Sequence, residues 1–455
     1  MTTSLTRVES WFRDELPRIN RAVLDGAPAD LLTATLLDLL PSLPSPERLD
    51  AHEAQRLLIG LGLTGSSVAR HYQEQDTSRK SHPDRAFDGL LAGPEKLPFR
   101  TYFAATAEQT GTGHYDRDAY ASLVIWNGPT TEVRFCGQPI GELGGTTAEH
   151  ILSYTGDVAE RWFFALVKRG QTLERGANTV LESLADHDAD LTAPDTLSRV
   201  RLATGLLTAL RNLFLEFADT RPRHRMQPSY FMDVFRQFAP HWVVGDIPPS
   251  GALDADGLKR DFLLGTVDEH YVQHVRRIMP ALLGVERNDL DHRMSEPSLT
   301  ERLLAQAGVT PSAIPGLSPT ELTTLGRDHP ALATWYELLS AHARAAGAHL
   351  MLSKRFLFNP QRRRDEDGIG DHPLVSNRRG TTGMNESMLD RLTQMRRRHG
   401  LAGLHGAPAD DAPFSRIDVD DIEVVPSLTE VIGAKDAERA DPPTLTGEKR
   451  TVTGR

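Results

Sequence analysis

The sequence predicts a mainly α-helical protein. Across most of its 455 residues, apolar side chains recur three and four positions apart, which is the period of amphipathic helices, and Pro, Gly and Asp separate the runs. Strand-like alternation is rare; the best example, TEVRFCG at residues 131–137, predicts one arm of a hairpin. In chain order, the helical period predicts helices at residues 7–24, 30–40, 46–72, 149–168, 173–184, 197–217, 230–238, 255–279 and 331–356.

Changes in composition divide the chain. Residues 77–97 are rich in Pro, Gly and charge and predict a linker, so residues 1–96 should form a smaller N-terminal helical region. Residues 97–400 should form the main helical domain. Within that domain, residues 361–382 have alternating charge blocks and few apolar side chains, which predicts a mobile loop.

The last part of the chain differs from the rest. Residues 401–455 are polar, acidic and rich in Pro, apart from a short apolar patch at residues 422–425. Such a composition buries too little apolar surface to fold and predicts a disordered tail. We therefore expect the packed body to end near His399.

The composition also excludes several classes of protein. The 51 Lys and Arg against 62 Asp and Glu give a formal charge of −11, which repels polyphosphate and disfavours nucleic acid as a partner. Basic clusters at residues 221–225, 362–364 and 396–399 lack interleaved aromatic side chains and predict solvated faces, helix C-terminal charges or local ion pairs. One cysteine, Cys136, excludes a disulfide scaffold and a multi-cysteine metal site. Short apolar runs and a charged N-terminal segment predict a cytoplasmic protein with no membrane partner.

Three motifs resemble known sites but lack the residues that those sites need. GLGLTG at residues 60–65 has dinucleotide-type spacing, yet a helical segment precedes it, which favours a flexible helix junction. His270 and His274 share a helix face, but Tyr271 stands where a zinc protease has its Glu, so a solvated or capping pair is expected. Residues 186–190 lack the glycine and closing Glu of a calcium loop and predict a polar turn.

A histidine lies among small side chains on the helix predicted at residues 331–356. Ala345, Ala346, Gly347 and Ala348 precede His349, and small residues let a large flat group approach the backbone. A neutral imidazole in this setting is suited to ligate haem iron. The alternative is a close helix–helix contact in which His349 has a structural role.

An arginine lies within an aromatic segment. Phe231, Phe235 and Phe238 surround Arg236 in the stretch SYFMDVFRQFAPHW. A cation in an apolar pocket usually has a carboxylate partner, either from the protein or from a substrate. The residues alone leave both partners open.

In their order, these segments resemble the haem domain of indoleamine 2,3-dioxygenase and its bacterial relatives, including the PrnB-type enzymes of pyrrolnitrin biosynthesis. The resemblance covers about residues 97–399. In the family, the proximal His is followed by an apolar and basic run that ends in Pro, and here LMLSKRFLFNP follows His349 and ends at Pro360. The resemblance implies that His349 is the axial iron ligand. It also implies that Arg344 is the basic residue beside the haem, although its offset from His349 differs from the family's usual one.

The same resemblance implies a substrate pocket. Arg236 would clamp a substrate carboxylate, and Phe163 and Phe231 would pack on the substrate ring, with catalytic roles for Phe163 and Arg236. Val167 stands where the family has a hydroxyl-bearing residue. The further pocket residues that the resemblance implies are Phe103 and Thr106 on the wall, Ser250, Gly251 and Ala252 over the haem edge, and Gly380, Thr381, Thr382 and Gly383 in a closing loop.

The family's properties then become expectations for this chain. They are a helical haem domain of indoleamine 2,3-dioxygenase type with a smaller N-terminal helical layer, haem b, dioxygen, an electron donor and a small aromatic substrate with a carboxylate. The expected reaction is oxygenation of tryptophan or a related indole or aromatic amino acid, in secondary metabolism. One alternative is a PrnB-like enzyme that rearranges or hydroxylates a modified tryptophan. An alternative of another class is a helical binding or scaffold protein without a cofactor.

Overall fold

The mainly helical class is confirmed. A computed structural model of the chain describes residues 2–146, 150–186, 188–221, 225–310, 314, 316–367, 385–404 and 417–432. The helices in chain order are α1 (Thr2–Ser10), α2 (Leu16–Leu24), α3 (Leu31–Leu39), α4 (Ala51–Gln75), α5 (Phe99–Glu108), α6 (Tyr120–Leu123), α7 (Val158–Glu182), α8 (Pro194–Ala218), α9 (Pro228–Asp233), α10 (Ala255–Leu264), α11 (Glu269–Ile278), α12 (Gly284–Ser295), α13 (Leu299–Gln306), α14 (Pro319–Asp328), α15 (Ala331–Ser353), α16 (Asn359–Glu366), α17 (Glu386–Arg397) and α18 (Leu428–Ile432). None of these described helices is both long enough and apolar enough to cross a membrane.

The strands are short and antiparallel. They are β1 (Leu91–Ala92), β2 (Leu97–Pro98), β3 (Thr131–Phe135), β4 (Gln138–Leu143) and β5 (Ile422–Val425). Strands β3 and β4 form a hairpin, which confirms the hairpin arm predicted at residues 131–137. Its turn residues, Cys136 and Gly137, have φ values of 48° and 75°, as two-residue hairpin turns require. Strand β5 pairs with the other edge of β3, so the sheet order is β4–β3–β5.

The sequence predicted that the packed body ends near His399, but the chain remains packed beyond this residue. Leu401 is fully buried, and β5 makes antiparallel pairs with β3. The Nη1 of Arg169 on α7 donates to the carbonyl oxygens of Val424 and Pro426 at 2.9 and 2.7 Å. The apolar patch at residues 422–425 is therefore a strand of the sheet rather than part of a disordered tail.

Some predicted boundaries change. The start of the loop predicted at residues 361–382 is instead helical, because α16 continues to Glu366. Residues 368–382 of that loop lie outside the described residues, as do residues 405–416 and 433–455 of the predicted tail.

Two helix predictions were wrong in their continuity. The segments predicted at residues 149–168 and 173–184 contribute to one helix, α7, because Gly170 does not break it and packs against Leu213 of α8. The helix predicted at residues 255–279 is two helices, α10 and α11. Gly265 ends α10 in the left-handed conformation, with φ of 68°.

The glycines of GLGLTG lie in the middle of α4 and not at a helix junction, so that prediction was also wrong. A Cβ at Gly60 would overlap the ring of Phe12, and a Cβ at Gly65 would overlap the indole of Trp242. The glycines therefore permit close packing. Because Phe12 belongs to the N-terminal region and Trp242 to the main domain, both regions contribute to one hydrophobic core across α4.

Three long helices form the centre of the molecule. The polar turn predicted at residues 186–190, of which residue 187 lies outside the described residues, falls in the short connection between α7 and α8, which are antiparallel neighbours. Trp335, near the start of α15, donates its indole N–H to the carbonyl oxygen of Leu191 at 3.0 Å. Near the other end of these helices, the rings of Phe217 and Phe356 are 5.1 Å apart. Helix α15 therefore runs alongside α8 in the same direction.

Candidate functional site

A cavity of about 430 Å³ lies between α7, α8 and α15, within the usual size range of small-molecule and cofactor sites. Each helix presents one face to it, because the lining residues recur at three- and four-residue intervals. Phe163 and Glu174 on α7 are eleven residues apart, so the cavity extends about 16 Å along that helix. The residues that line the cavity include Phe163, Phe164, Val167, Glu174, Phe214, Phe231, Phe235, Arg236, Ser250, Gly251, Ala252, Asp254, Gly257, Arg260, Tyr271, His342, Ala345, Ala346, His349, Phe356 and Arg396.

One end of the cavity is aromatic. The ring of Phe163 lies 4.7 Å from that of Phe235 and 5.9 Å from that of Phe231, and the rings of Phe231 and Phe356 are 5.8 Å apart. We call Phe163, Phe164, Phe231, Phe235 and Phe356 the aromatic end. These tilted and edge-on contacts form an apolar wall that suits a flat aromatic ligand.

Arg236 brings a charge to the aromatic end. It lies in a short 3₁₀ helix, Phe235–Phe238, and is 8% exposed. Burial lowers the pKa of Arg236 to about 10, which still leaves the guanidinium protonated at neutral pH. This end of the cavity therefore combines aromatic walls with one buried cation.

A buried arginine of α4 holds the segment that carries Arg236. The Nη1 of Arg70 donates to the carbonyl oxygen of Val234 at 2.9 Å, and its guanidinium lies 4.2 Å above the ring of Phe238. Phe238 in turn stacks on Tyr154, with ring centroids 4.4 Å apart. These contacts fix the backbone on both sides of Arg236.

A second buried network holds the start of α9, just before Phe231. The backbone N–H of Thr155 donates to Oε2 of Glu160 at 2.9 Å, and the Tyr230 hydroxyl donates to Oε1 at 3.1 Å. Burial of the carboxyl group raises the pKa of Glu160 to about 7. The aromatic end is thus supported from behind by polar groups of α7 and α9.

His349 lies midway along the cavity. It lies seven residues after His342 on α15 and seven before Phe356, which belongs to the π-helical turn Lys354–Phe358 that continues α15, or about 10 Å in each direction. Its ring is 5.5 Å from that of Phe214. The side chain is surrounded by protein yet has a large accessible surface, because that surface faces the interior of the cavity. Burial lowers the pKa of His349. The nearby Glu174 acts in the opposite direction, and the charge of Arg396 lowers the pKa further. The imidazole is therefore neutral at neutral pH, the form that binds a metal ion.

The other end of the cavity is polar, and its largest network centres on the fully buried Asp261. Arg396 donates Nε and Nη2 to the two oxygens of Asp261 at 2.8 and 2.6 Å, and the Tyr271 hydroxyl donates at 2.6 Å. Nε2 of His342 is 2.8 Å from Oδ1, while its Nδ1 faces Nε of Arg260 at 3.3 Å. Because a guanidinium can only donate, Nδ1 is the acceptor and Nε2 carries the proton.

We call Glu174, Asp254, Arg260, His342 and Arg396 the polar end. The contacts with Asp261 set the charges of the network there. Burial alone would raise the pKa of Asp261, but the charge and hydrogen bonds of Arg396, together with His342, hold it well below its usual range. Burial lowers the pKa of His342. The network therefore contains an ionised Asp261, a cationic Arg396 and a neutral His342.

Most of the residues implied by the family resemblance share this cavity, and a few do not. Those that line it are Phe163, Val167, Phe231, Arg236, Ser250, Gly251, Ala252 and His349. Phe103 and Thr106 are instead core residues of α5: the Phe103 ring packs on Trp242, with centroids 5.5 Å apart, and the Thr106 hydroxyl donates to a backbone carbonyl of its own helix. Arg344 is exposed on the outer face of α15, 3.7 Å from Glu337, and is not among the residues that line the cavity. Gly380, Thr381, Thr382 and Gly383 lie outside the described residues.

The sequence reasoning missed the polar end. Glu174 follows Phe163 by three helical turns, and His342 precedes His349 by two, so helical spacing alone would have placed both on the cavity face. Asp254, Arg260 and Arg396 come from other elements and gave no such signal. The basic cluster at residues 396–399 contributes a buried ion pair through Arg396, which lies in the last turn of α17; local ion pairs and helix C-terminal charges were two of the three interpretations favoured from the sequence.

Comparison with known proteins identifies no relative of this chain. No protein-family model and no curated protein matches the chain. Among the residues that the structure describes, no three His, Cys, Asp or Glu side chains are grouped closely enough to hold a metal ion.

Proposed function

We propose that this cavity binds haem b through His349 and that the protein is a haem-dependent oxygenase. The observation that carries the proposal is the neutral imidazole of His349, which faces the cavity midway between an aromatic end and a polar end. Within the described residues no hydrogen bond to this imidazole is present, so its nitrogens remain available to a ligand. The resemblance to the indoleamine 2,3-dioxygenase family points to the same residue.

The residues around His349 fit a flat cofactor. Ala345 and Ala346 precede it on the cavity face of α15, and a Cβ added to Gly251 would meet open space. The surrounding walls are mostly apolar, which favours a large hydrophobic ring over water. Bound ferrous haem would supply the binding and activation of dioxygen. The chain would supply the axial ligand, the orientation of the substrate and a dry site.

The aromatic end fits the proposed substrate. Phe163 and Phe231 would pack on an aromatic ring, and Arg236 would hold a carboxylate by paired hydrogen bonds. A buried guanidinium gains most from an anionic ligand, because the surrounding protein screens the attraction weakly. Tryptophan or a related indole or aromatic amino acid meets both requirements and is the first candidate substrate.

A second candidate reaction belongs to the same site. Val167 lines the cavity and offers no hydrogen-bonding group, which favours an apolar substituent on the substrate ring. A modified tryptophan carries such a substituent, so rearrangement or hydroxylation of the PrnB type is the alternative. Both reactions need the same axial ligand and the same carboxylate clamp.

The test combines cofactor uptake with isotope transfer. The chain is expressed with a haem precursor, reduced, and incubated with labelled dioxygen and a panel of tryptophan and its ring-substituted derivatives. We expect a haem absorption band that shifts with carbon monoxide, and a product that gains one or two labelled oxygen atoms. Failure to take up haem would contradict the cofactor proposal, whereas haem uptake without label in any product would contradict the oxygenase proposal.

A further inference from the structure

The polar end contains a buried N–H donor, Nη1 of Arg260, that lacks a hydrogen-bond partner within the part of the chain that the structure describes. Beside it lies the carboxylate of Glu174, which shares a hydrogen bond with Asp254 and whose oxygens can accept further hydrogen bonds. Both side chains line the cavity and are more than nine-tenths buried, and they face each other as an ion pair, with Nη2 of Arg260 3.3 Å from Oε2. An unsatisfied buried donor is costly, so Nη1 of Arg260 indicates a missing partner.

A third group, Asp254, closes this subsite. Its Oδ1 accepts from the backbone N–H groups of Asp256 and Gly257 at the start of α10, at 3.1 and 3.4 Å. A Cβ added to Gly257 would lie 3.1 Å from Oε2 of Glu174 and 3.6 Å from Oδ2 of Asp254, so the two carboxyl groups meet over the same glycine. A Cβ there would press on the Glu174 carboxylate and touch that of Asp254 at an ordinary contact distance.

The subsite is neutral as a whole. Burial and the neighbouring Glu174 raise the pKa of Asp254 well above its usual value, which favours the protonated carboxyl group, and Asp254 shares this proton with Glu174 in a hydrogen bond. The charges of Glu174 and Arg260 compensate each other. An added anion or cation would therefore introduce an uncompensated buried charge, which is costly in a site enclosed by protein.

We propose that Glu174, Arg260 and Asp254 form a second subsite of the cavity, which binds a neutral group that presents an acceptor beside a donor, as a carboxamide does. The carboxamide oxygen accepts from Nη1 of Arg260, and the carboxamide N–H donates to Oε2 of Glu174. This subsite lies about 16 Å along α7 from the aromatic end, where Arg236 selects an anion. The inference goes beyond the proposed function and does not depend on His349 binding a metal.

Three flat probes of the same shape test it: benzamide, which is neutral with an acceptor and donors, benzoate, which only accepts, and benzamidinium, which only donates. Their dissociation constants are measured by calorimetry on the purified full-length chain. We expect benzamide to bind more tightly than benzamidinium. We expect Glu174→Gln and Arg260→Lys each to weaken benzamide binding at least tenfold and to leave benzoate, which Arg236 can hold, within twofold.

Glu337→Gln, on the exposed face of α15, is the matched control and should change nothing. Circular dichroism checks the fold of each variant, and Arg260→Lys carries the test if Glu174→Gln does not fold. The proposal is overturned if benzamide does not bind the wild type, if benzamidinium binds more tightly than benzamide, or if the folded variants bind benzamide as the wild type does. Equal losses for benzamide and benzoate would also overturn it.

Discussion

Replacing Asp261 by Asn should destabilise the protein more than any surface substitution. The variant keeps the size of the side chain but removes a charge that Arg396 contacts with two nitrogens, at 2.8 and 2.6 Å. It also places an N–H₂ group where Arg396, Tyr271 and His342 all offer donors. Breaking a buried pair by removing one partner costs about 3–5 kcal/mol, a large part of the 5–15 kcal/mol that stabilises a typical domain.

Urea unfolding at pH 7.5, followed by circular dichroism, measures this cost. The double variant Asp261→Asn with Arg396→Met removes both charges and should be more stable than the sum of the single effects predicts, by at least about 1 kcal/mol. The pH dependence has a defined sign. Because the folded-state pKa of Asp261 is depressed, its contribution is complete above the unfolded value of about 3.9 and is lost as the pH falls below it.

The difference in unfolding free energy between the wild type and Asp261→Asn should therefore be constant above about pH 5 and become smaller in more acidic solution. A loss of less than about 1 kcal/mol at pH 7.5 would refute the reasoning, because it would mean that the carboxylate does not compensate Arg396. A strictly additive double variant would refute the pairing itself.

Three further perturbations have defined outcomes. Arg236→Leu should weaken binding of tryptophan at least tenfold and of tryptamine less than twofold in calorimetry, with Arg344→Leu as an inert control; equal losses would exclude the carboxylate clamp. Because the folded-state pKa of Glu160 is raised to about 7, its protonated form stabilises the protein at low pH, and this contribution is lost as the pH rises through 7. The free energy of unfolding of the wild type should therefore fall by up to roughly 2 kcal/mol relative to that of Glu160→Gln between pH 5.5 and 8.5. A pH-independent difference in unfolding free energy would contradict this. Gly65→Ala should destabilise by about 1–3 kcal/mol through overlap with Trp242, and unchanged thermal stability would rule out that close packing.

The sequence predicted the cavity wall best where helical spacing applies. Phe163 and His349 lie on single helix faces, and both reach the cavity. Phe103 shows the limit of this reasoning, because a buried aromatic residue on a helix looks the same whether it packs on a cavity or on Trp242. Arg344 is five residues before His349, which is about 140° around the helix, so the spacing itself places it on another face.

Local patterns could have placed only Glu174 and His342 of the polar end, through their helical spacing from Phe163 and His349. Glu174, Asp254 and Arg260 come from α7, the turn before α10 and α10 itself, and each charged residue alone looks like an exposed one. Only tertiary packing brings them together and buries them. Strand β5 also depends on tertiary packing. Three of its four residues are apolar, and they form a strand because they pair with the free edge of β3.

Haem binding by His349 is decided by absorption spectra of the wild type, His349→Gly and His270→Ala, each expressed with a haem precursor. His270 lies on the exposed face of α11 and serves as the control. We predict a Soret band in the wild type and in His270→Ala that shifts on reduction and again with carbon monoxide, its loss in His349→Gly, and its partial return when imidazole is added. A His349→Gly protein with the spectrum and haem content of the wild type, or a wild type that binds no haem at all, would contradict the assignment.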